Sequence, residues 1–226
     1  MPRYLHCLLL ALALLPGPAR AQVSVVDFVG REVHLAQPAQ RIVALAPHIT
    51  ENLFSAGAGD KVVGVTSYSN YPQQAQGVRE VGTFAAWSLE AIVSLQPDLV
   101  VMWGSGNGMD KLLSLERLGF TVYVSEPRRL QDVPRTLRDL GILAGSPAVG
   151  EDKAQQLEAA LARLQSRYRR DVPVSVFYQV WHRPLQTVNG QHMISDVIRL
   201  CGGENIFAAE PDLAPRINVE AVLSRD

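Results

Sequence analysis

Apolar positions fall in two alternating rhythms along the chain. Arg41 to Leu45 is a short, nearly unbroken apolar run after a polar lead, and it predicts a buried strand. From Pro47 the spacing changes to that of a helix, with Ile49, Leu53, Phe54 and Ala56 on one face and Gly57 and Gly59 as its stop. The alternation then repeats. Val62 to Val65, Leu99 to Trp103 and Thr121 to Val124 read as strands, while Leu89 to Leu95, Lys111 to Leu118 and Leu130 to Ala144 read as helices. Strands spaced by helices imply βαβ units and a mostly parallel sheet.

The pattern changes after a turn at Pro147 to Gly150. From Glu151 to Arg170 the residues Ala154, Leu157, Leu161, Leu164 and Tyr168 recur at three- and four-residue intervals, with charge elsewhere and neither Gly nor Pro. This is one long helix, either a surface helix of a single domain or a rigid connector. A fresh strand, Val174 to Gln179, favours the connector, followed by a helix at Met193 to Leu200, a stop at Gly202-Gly203 and a last apolar-periodic stretch at Val219 to Ser224. The division is 22–146 as an N-terminal α/β lobe, 147–170 as the interlobe helix and 171–226 as a partial C-terminal α/β lobe.

One internal repeat links the halves. Ser88-Leu89-Glu90-Ala91-Ile92-Val93-Ser94 matches Asn218-Val219-Glu220-Ala221-Val222-Leu223-Ser224, each with a capping side chain, a Glu in the first turn and an apolar stripe. The first copy continues through Gln96-Pro97-Asp98 into a strand. The second stops where its strand is due, so the second lobe reads as incomplete.

Composition narrows the class. Of 226 residues, 47% are hydrophobic and 19% charged, and 21 Lys and Arg face 22 Asp and Glu, an ordinary globular balance without the basic excess that nucleic acid demands. Residues 1–21 read as a cleaved secretion signal: Arg3, an apolar run from Leu8 to Leu15 too short to span a bilayer, Pro16 and Pro18, then Ala19-Arg20-Ala21. The mature chain then begins at Gln22. Cys7 leaves with the signal and Cys201 remains alone, so it is a free thiol, an intermolecular bridge or half of a pair whose partner is missing.

Catalytic motifs are absent: no G-x-S-x-G, H-E-x-x-H, C-x-x-C or phosphate loop. An exported esterase using Ser67, Ser105 and His182 is the competing class, and no spacing supports it. Gly104-Ser105-Gly106-Asn107-Gly108 lacks the third glycine of a dinucleotide fingerprint and reads as a ligand-lining loop. The histidines have no metal-ligand spacing, and no metal site is expected. His48 alone stands out, in the first turn of a helix at a strand's carboxyl end, where open α/β folds place ligands. Six aromatics, Tyr68, Tyr71, Phe84, Trp87, Trp103 and Trp181, fall in loops and at strand ends among Ser, Asn and Gly. They suit a broad, flat ligand that stacks in the middle and hydrogen-bonds at its rim.

The chain resembles the bilobed substrate-binding proteins of ABC importers for cobalamin, haem and ferric siderophores. The likeness rests on Leu45-Ala46-Pro47 with Thr50-Glu51, Val63 to Pro72, Leu89-Glu90-Ala91-Ile92, Pro97-Asp98-Leu99-Val100, Trp181 to Leu185 and Cys201-Gly202-Gly203-Glu204-Asn205-Ile206-Phe207. The Ser-Tyr-Ser-Asn-Tyr-Pro loop and the Cys-Gly-Gly stretch are most similar to cobalamin-binding members. The resemblance implies two Rossmann-like lobes with parallel sheets joined by one stiff helix, and a non-catalytic, periplasmic, monomeric protein that holds a corrinoid between them, with haem as the alternative cargo and Tyr68, Tyr71 or His48 as an axial ligand. It also implies that Tyr68 and Tyr71 meet the corrin, that Trp103 lines the cleft and that Phe84 stands where the cobalamin protein has Trp. Ala214 replaces another cleft Trp, with Trp181 as its substitute. By the same resemblance Glu90 and Glu220 dock on the membrane permease, and Cys201 pairs with a cysteine of a final helix not found in this sequence.

Overall fold

The structure, a computed structural model, describes residues 22–225, so the expected secretion signal lies outside the described residues. Strands β1 (Val23–Val26) and β2 (Glu32–Leu35) pair antiparallel where the sequence reading had only a polar lead. The period-two alternation is present, with Val33 and Leu35 buried, but it is four residues long and easily overlooked. Asp27 closes the turn by accepting from the backbone N–H groups of Val29 and Arg31, and Gly30 supplies a φ of 80°. The hairpin is tied to the core sheet by Phe28 N–H, which donates to Val124 O at 3.1 Å. The Arg31 guanidinium adds a bond to Val122 O.

The first lobe follows the expected alternation. Its elements are β3 (Ile42–Ala44), α1 (Pro47–Ser55), β4 (Val62–Val65), α2 (Leu89–Leu95), β5 (Leu99–Trp103), α3 (Gly104–Asn107), α4 (Asp110–Arg117), β6 (Val122–Ser125) and α5 (Asp132–Ala144). The four central strands are parallel in the order β4-β3-β5-β6. From β3 the chain steps outward to β4, then crosses back to β5 and β6. The direction of winding therefore reverses between β3 and β5, and a crevice opens at their carboxyl ends. Successive strand residues serve opposite faces. Ile42, Ala44, Leu99 and Val101 pack with α1 and α5, whereas Val43, Leu45, Val100 and Met102 pack with α2 and α4. A sheet buried on both faces explains why these strands read as continuous apolar runs.

The connector is α6 (Pro147–Tyr168). It begins at Pro147, where the domain division puts it, so the expected turn at Pro147 to Gly150 is the first turn of the helix, with proline at a position whose N–H needs no partner. Gly150 lies against Gly141 of α5, so closely that a Cβ on Gly150 would come within 2.5 Å of Leu137 O. Arg138 reaches Glu151 and Glu158 at 2.8 and 2.7 Å and holds both carboxyls below the ordinary range. The first half of α6 thus belongs to the first lobe. Its second half meets the second lobe, where Leu161, Leu130 and Leu200 surround a shallow groove.

The second lobe contains β7 (Val174–Val176), β8 (Trp181–His182), β9 (Leu185–Gln186), α7 (Met193–Leu200), β10 (Gly203–Asn205) and α8 (Val219–Leu223). Only the first three residues of the expected strand Val174 to Gln179 pair, in parallel with β10. Asn205 is buried and holds this lobe together: its amide donates to Val188 O and Ser195 Oγ, and its carbonyl accepts from Phe207 N–H. Val172, Val174, Trp181, Val219 and Leu223 are exposed. No described helix is long and apolar enough to cross a membrane.

Candidate functional site

The crevice between β3 and β5 has an aromatic wall. His48, in the first turn of α1, and Trp103, the last residue of β5, have ring centroids 5.3 Å apart at nearly a right angle. The Phe84 ring centroid lies 5.9 Å from that of Trp103, with the rings tilted by 44°. The glycine-rich stretch after β5 forms a single helical turn, and its glycines make room for side chains. A Cβ on Gly106 would project into the Trp103 indole, and one on Gly104 would lie 2.9 Å from the Glu126 carboxylate.

Asn107 fixes this wall from beneath. Its Oδ1 accepts Trp103 N–H at 2.6 Å, and its Nδ2 donates to Leu45 O at 2.9 Å and Phe84 O at 2.6 Å. One buried amide therefore joins the end of β3, the end of β5 and the loop bearing Phe84. Opposite, the second lobe contributes Gln191, His192, Met193 and Leu213, and the enclosed space is about 380 Å³. Leu130 N–H donates to Asp196 Oδ2 at 3.1 Å and ties the two lobes beside it.

Burial lowers the His48 imidazole below its ordinary range, against an opposing pull from Glu126, and its Nε2 is buried without a hydrogen-bond partner. His192 caps α7, accepting Ile194 N–H at Nδ1, and burial lowers it too. Both imidazoles therefore favour the neutral form.

The six aromatics take up different positions. Trp103 lines the cleft and Phe84 packs on it. Tyr68 and Tyr71 stand in the loop after β4, at the same sheet edge, with Tyr68 82% exposed at a φ of 68°. That loop is tied to α1 through Thr50 Oγ1 and Ser69 Oγ, 3.1 Å apart. Trp87 packs on the core beside α2, with Lys111 Nζ 5.4 Å from the ring centroid. Trp181, 59% exposed, sits in the β8–β9 hairpin, its indole N–H donating to Arg183 O. Of the six, only Trp103 is among the residues enclosing the cleft.

Glu90 and Glu220 are exposed in the first turns of α2 and α8. Ser88 Oγ accepts Ala91 N–H at 3.1 Å and Asn218 Oδ1 accepts Ala221 N–H at 2.8 Å, so the sequence repeat is also a structural one. Ser67, Ser105 and His182 form no constellation. Ser67 bonds to Glu80 and Gly82, Ser105 N–H to Glu126, and His182 lies on the hairpin. Among the described residues no group of three or more His, Cys, Asp or Glu could hold a metal ion. Cys201 is free and exposed.

Several lining residues escaped the sequence reading, chiefly Glu126, Arg128, Gln191 and His192. Glu126 follows the β6 strand directly, a position that marks the same carboxyl edge as His48 and could have been read so. The second-lobe residues carry no comparable sign, because only the crossing of the chain through α6 brings them opposite β5.

Residues 42–226 match the family described as periplasmic binding protein. The chain is 39% identical over 188 residues to the vitamin B12-binding protein of Vibrio campbellii, covering 83% of this chain and 68% of that protein. It is 34% identical over 217 residues to the vitamin B12-binding protein of Yersinia pestis, covering 96% of this chain and 76% of that one. The crystal structure of the periplasmic vitamin B12-binding protein of Vibrio cholerae superposes with a TM-score of 0.77 at 38% identity, over 83% of this chain and 74% of that one. A periplasmic haem-binding protein from Roseiflexus sp. RS-1, in its apo form, gives 0.72 at 26% identity, over 83% of this chain and 73% of that one. On a family match spanning most of the sequence and relatives more than a third identical, this chain belongs to the periplasmic binding protein family, whose members carry ligands and catalyse nothing.

Proposed function

We propose that the chain captures cobalamin in the periplasm, in the cleft between its two lobes, and delivers it to the permease of an ABC importer. The observation that carries this reading is the Trp103 indole, in ring contact with both His48 and Phe84 at the switch point of the sheet. Such a wall offers a flat apolar face to one edge of a macrocycle. A whole corrinoid exceeds 380 Å³, so on this reading its remainder lies outside the cleft, and the exposed rings of Tyr68, Tyr71 and Trp181 are its candidate contacts there. The names of the relatives at 39% and 34% identity support the corrinoid over other cargo. Glu90 and Glu220, one on each lobe, are the docking points for the permease on this reading, and their matched placement and exposure support it.

Haem is the second reading, favoured by one observation: the His48 imidazole lines the cleft, is kept toward the neutral form by burial, and has a buried nitrogen without a partner. Titrating cyanocobalamin and haem separately into the protein, by calorimetry and absorption, decides between them. Cobalamin capture predicts a single site with an affinity on the order of nanomolar. A shifted haem Soret band with no heat from cyanocobalamin overturns it.

A further inference from the structure

Glu126 is an unexpected residue to find in a cleft with an aromatic wall. Its side chain is only 14% exposed. Oε2 accepts Ser105 N–H at 2.7 Å and lies 2.9 Å from where a Cβ on Gly104 would stand. Oε1 is approached by Arg128 Nε at 3.4 Å, from a side chain that is itself more than half exposed. These are its hydrogen-bond partners among the described residues. The two imidazoles that share the cleft, His48 and His192, are both kept toward the neutral form by burial and bring little positive charge to it. The carboxylate is thus anchored through one oxygen and weakly engaged through the other, and it has lone pairs left for a guest.

A carboxylate accepts hydrogen bonds and donates none. Most of the longer side chains around the corrin ring of cobalamin end in primary amides, each offering two N–H donors, whereas haem carries two propionate carboxylates. A charged acceptor binds an amide N–H about twice as strongly as a neutral one does. The same group facing a propionate puts like charges together where water is scarce, and specificity often rests on such a repulsive element. Resting on the cobalamin reading above, we propose that Glu126 is the specificity-determining residue of the cleft: it accepts an N–H from a corrinoid side-chain amide and turns away macrocycles that carry carboxylates. Arg128 follows from the same arrangement. Its Nε lies 3.4 Å from Glu126 Oε1, so the carboxylate offsets the guanidinium charge and lessens its pull on a propionate, and neutralising Glu126 removes that offset.

The test uses the whole protein, unmutated and as Glu126→Gln, which keeps an acceptor for Ser105 N–H and nearly the same volume. Each is titrated by calorimetry with cyanocobalamin, with the three monocarboxylic acids made by hydrolysing one propionamide of cyanocobalamin, and with haem. In the unmutated protein at least one acid binds about tenfold or more weakly than the parent vitamin. In E126Q cyanocobalamin weakens by about tenfold, the acid recovers relative to it, and haem binds more tightly than before. Equal affinity of the unmutated protein for the parent and all three acids overturns the proposal without recourse to any variant, as does an E126Q protein with unchanged preferences. Failure of the unmutated protein to bind cyanocobalamin at all is a separate result. It overturns the cobalamin reading, and the role given to Glu126 with it.

Discussion

Asn107 and Trp103 are joined through main chain and side chain at once: the Trp103 N–H donates to Asn107 Oδ1 at 2.6 Å, and the same amide group spans to Leu45 O and Phe84 O. Substituting Asn107 by Ala strands the Leu45 carbonyl in a buried place and leaves the part-buried Trp103 N–H and Phe84 carbonyl without this partner. Unmet groups of this kind cost about 1–3 kcal/mol each, and partial relaxation leaves an expected loss of about 2–4 kcal/mol in urea unfolding. Asn107→Asp retains the bond to Trp103 but sets an oxygen against two carbonyls, and it is expected to be no better than Ala. In both variants tryptophan emission shifts as the ring loses its fixed seat.

The close approach of Gly150 and Gly141 makes a second, independent prediction. A methyl group on Gly150 has Leu137 O at 2.5 Å and cannot be accommodated by rotating a side chain, because the obstacle is backbone. Helix α6 must move away from α5, and overpacking of this kind costs about 1–3 kcal/mol. Gly150→Ala should lower the midpoint of thermal unfolding. Gly77→Ala, where a Cβ would meet nothing, serves as the control.

How much of this was legible in the sequence follows from what each feature depends on. The strands β3 to β6 announced themselves because they are buried on both faces, and an unbroken Val/Ile/Leu run has few other uses. Helix α6 was visible through the stripe from Ala154 to Tyr168, while its first turn carries no stripe, since Pro147 reads equally as a turn or as a first helical residue. His48 was readable from topology, being the first-turn residue after a strand. Trp87 was not separable from the other aromatics: a ring beside a capped helix looks the same in sequence whether it faces the core or a ligand. Asn107 lay in plain view inside a glycine-rich stretch, but its three bonds join segments far apart in the chain and could not be read from spacing.

Stability should depend on pH through His48. The unfolded chain titrates this imidazole near 6.5, whereas burial places the folded value lower. As pH falls through that interval the unfolded state takes up a proton that the folded state refuses, so stability rises with pH across it and levels off on either side. Unfolding free energy measured at about pH 7.5 should exceed that at about pH 5, and His48→Gln should flatten part of the difference. His192 contributes in the same sense, so the double variant should be flatter still. An unchanged slope in His48→Gln would count against a buried neutral imidazole.

Trp103 carries the proposed stacking face, and it also packs against the first core cluster. Trp103→Ala would confuse the two roles, so the informative variant is Trp103→Leu, which fills part of the core and removes the planar face. A central aromatic anchor at an interface is worth about 2 kcal/mol or more, equivalent to about thirtyfold in affinity for the macrocycle. The fall should appear in calorimetric titration with little change in unfolding midpoint. A large loss of stability with unaltered affinity would instead make Trp103 a core residue.

Glu90 and Glu220 can be separated from ligand binding altogether. Both are exposed on short capped helices, neither lines the cleft, and each helix retains its cap, Ser88 or Asn218, when the glutamate is changed. Exposed charges at a docking surface set orientation and encounter rate more than they set affinity. Glu90→Ala and Glu220→Ala should therefore leave cyanocobalamin affinity as it is while slowing delivery to a reconstituted importer, with the double variant slower than either single one. Raising the salt concentration should narrow the gap between the unmutated protein and the variants, because the missing attraction is screened in both. Uptake by the double variant at the unmutated rate, at low salt, would show that these two carboxylates serve only their own helices.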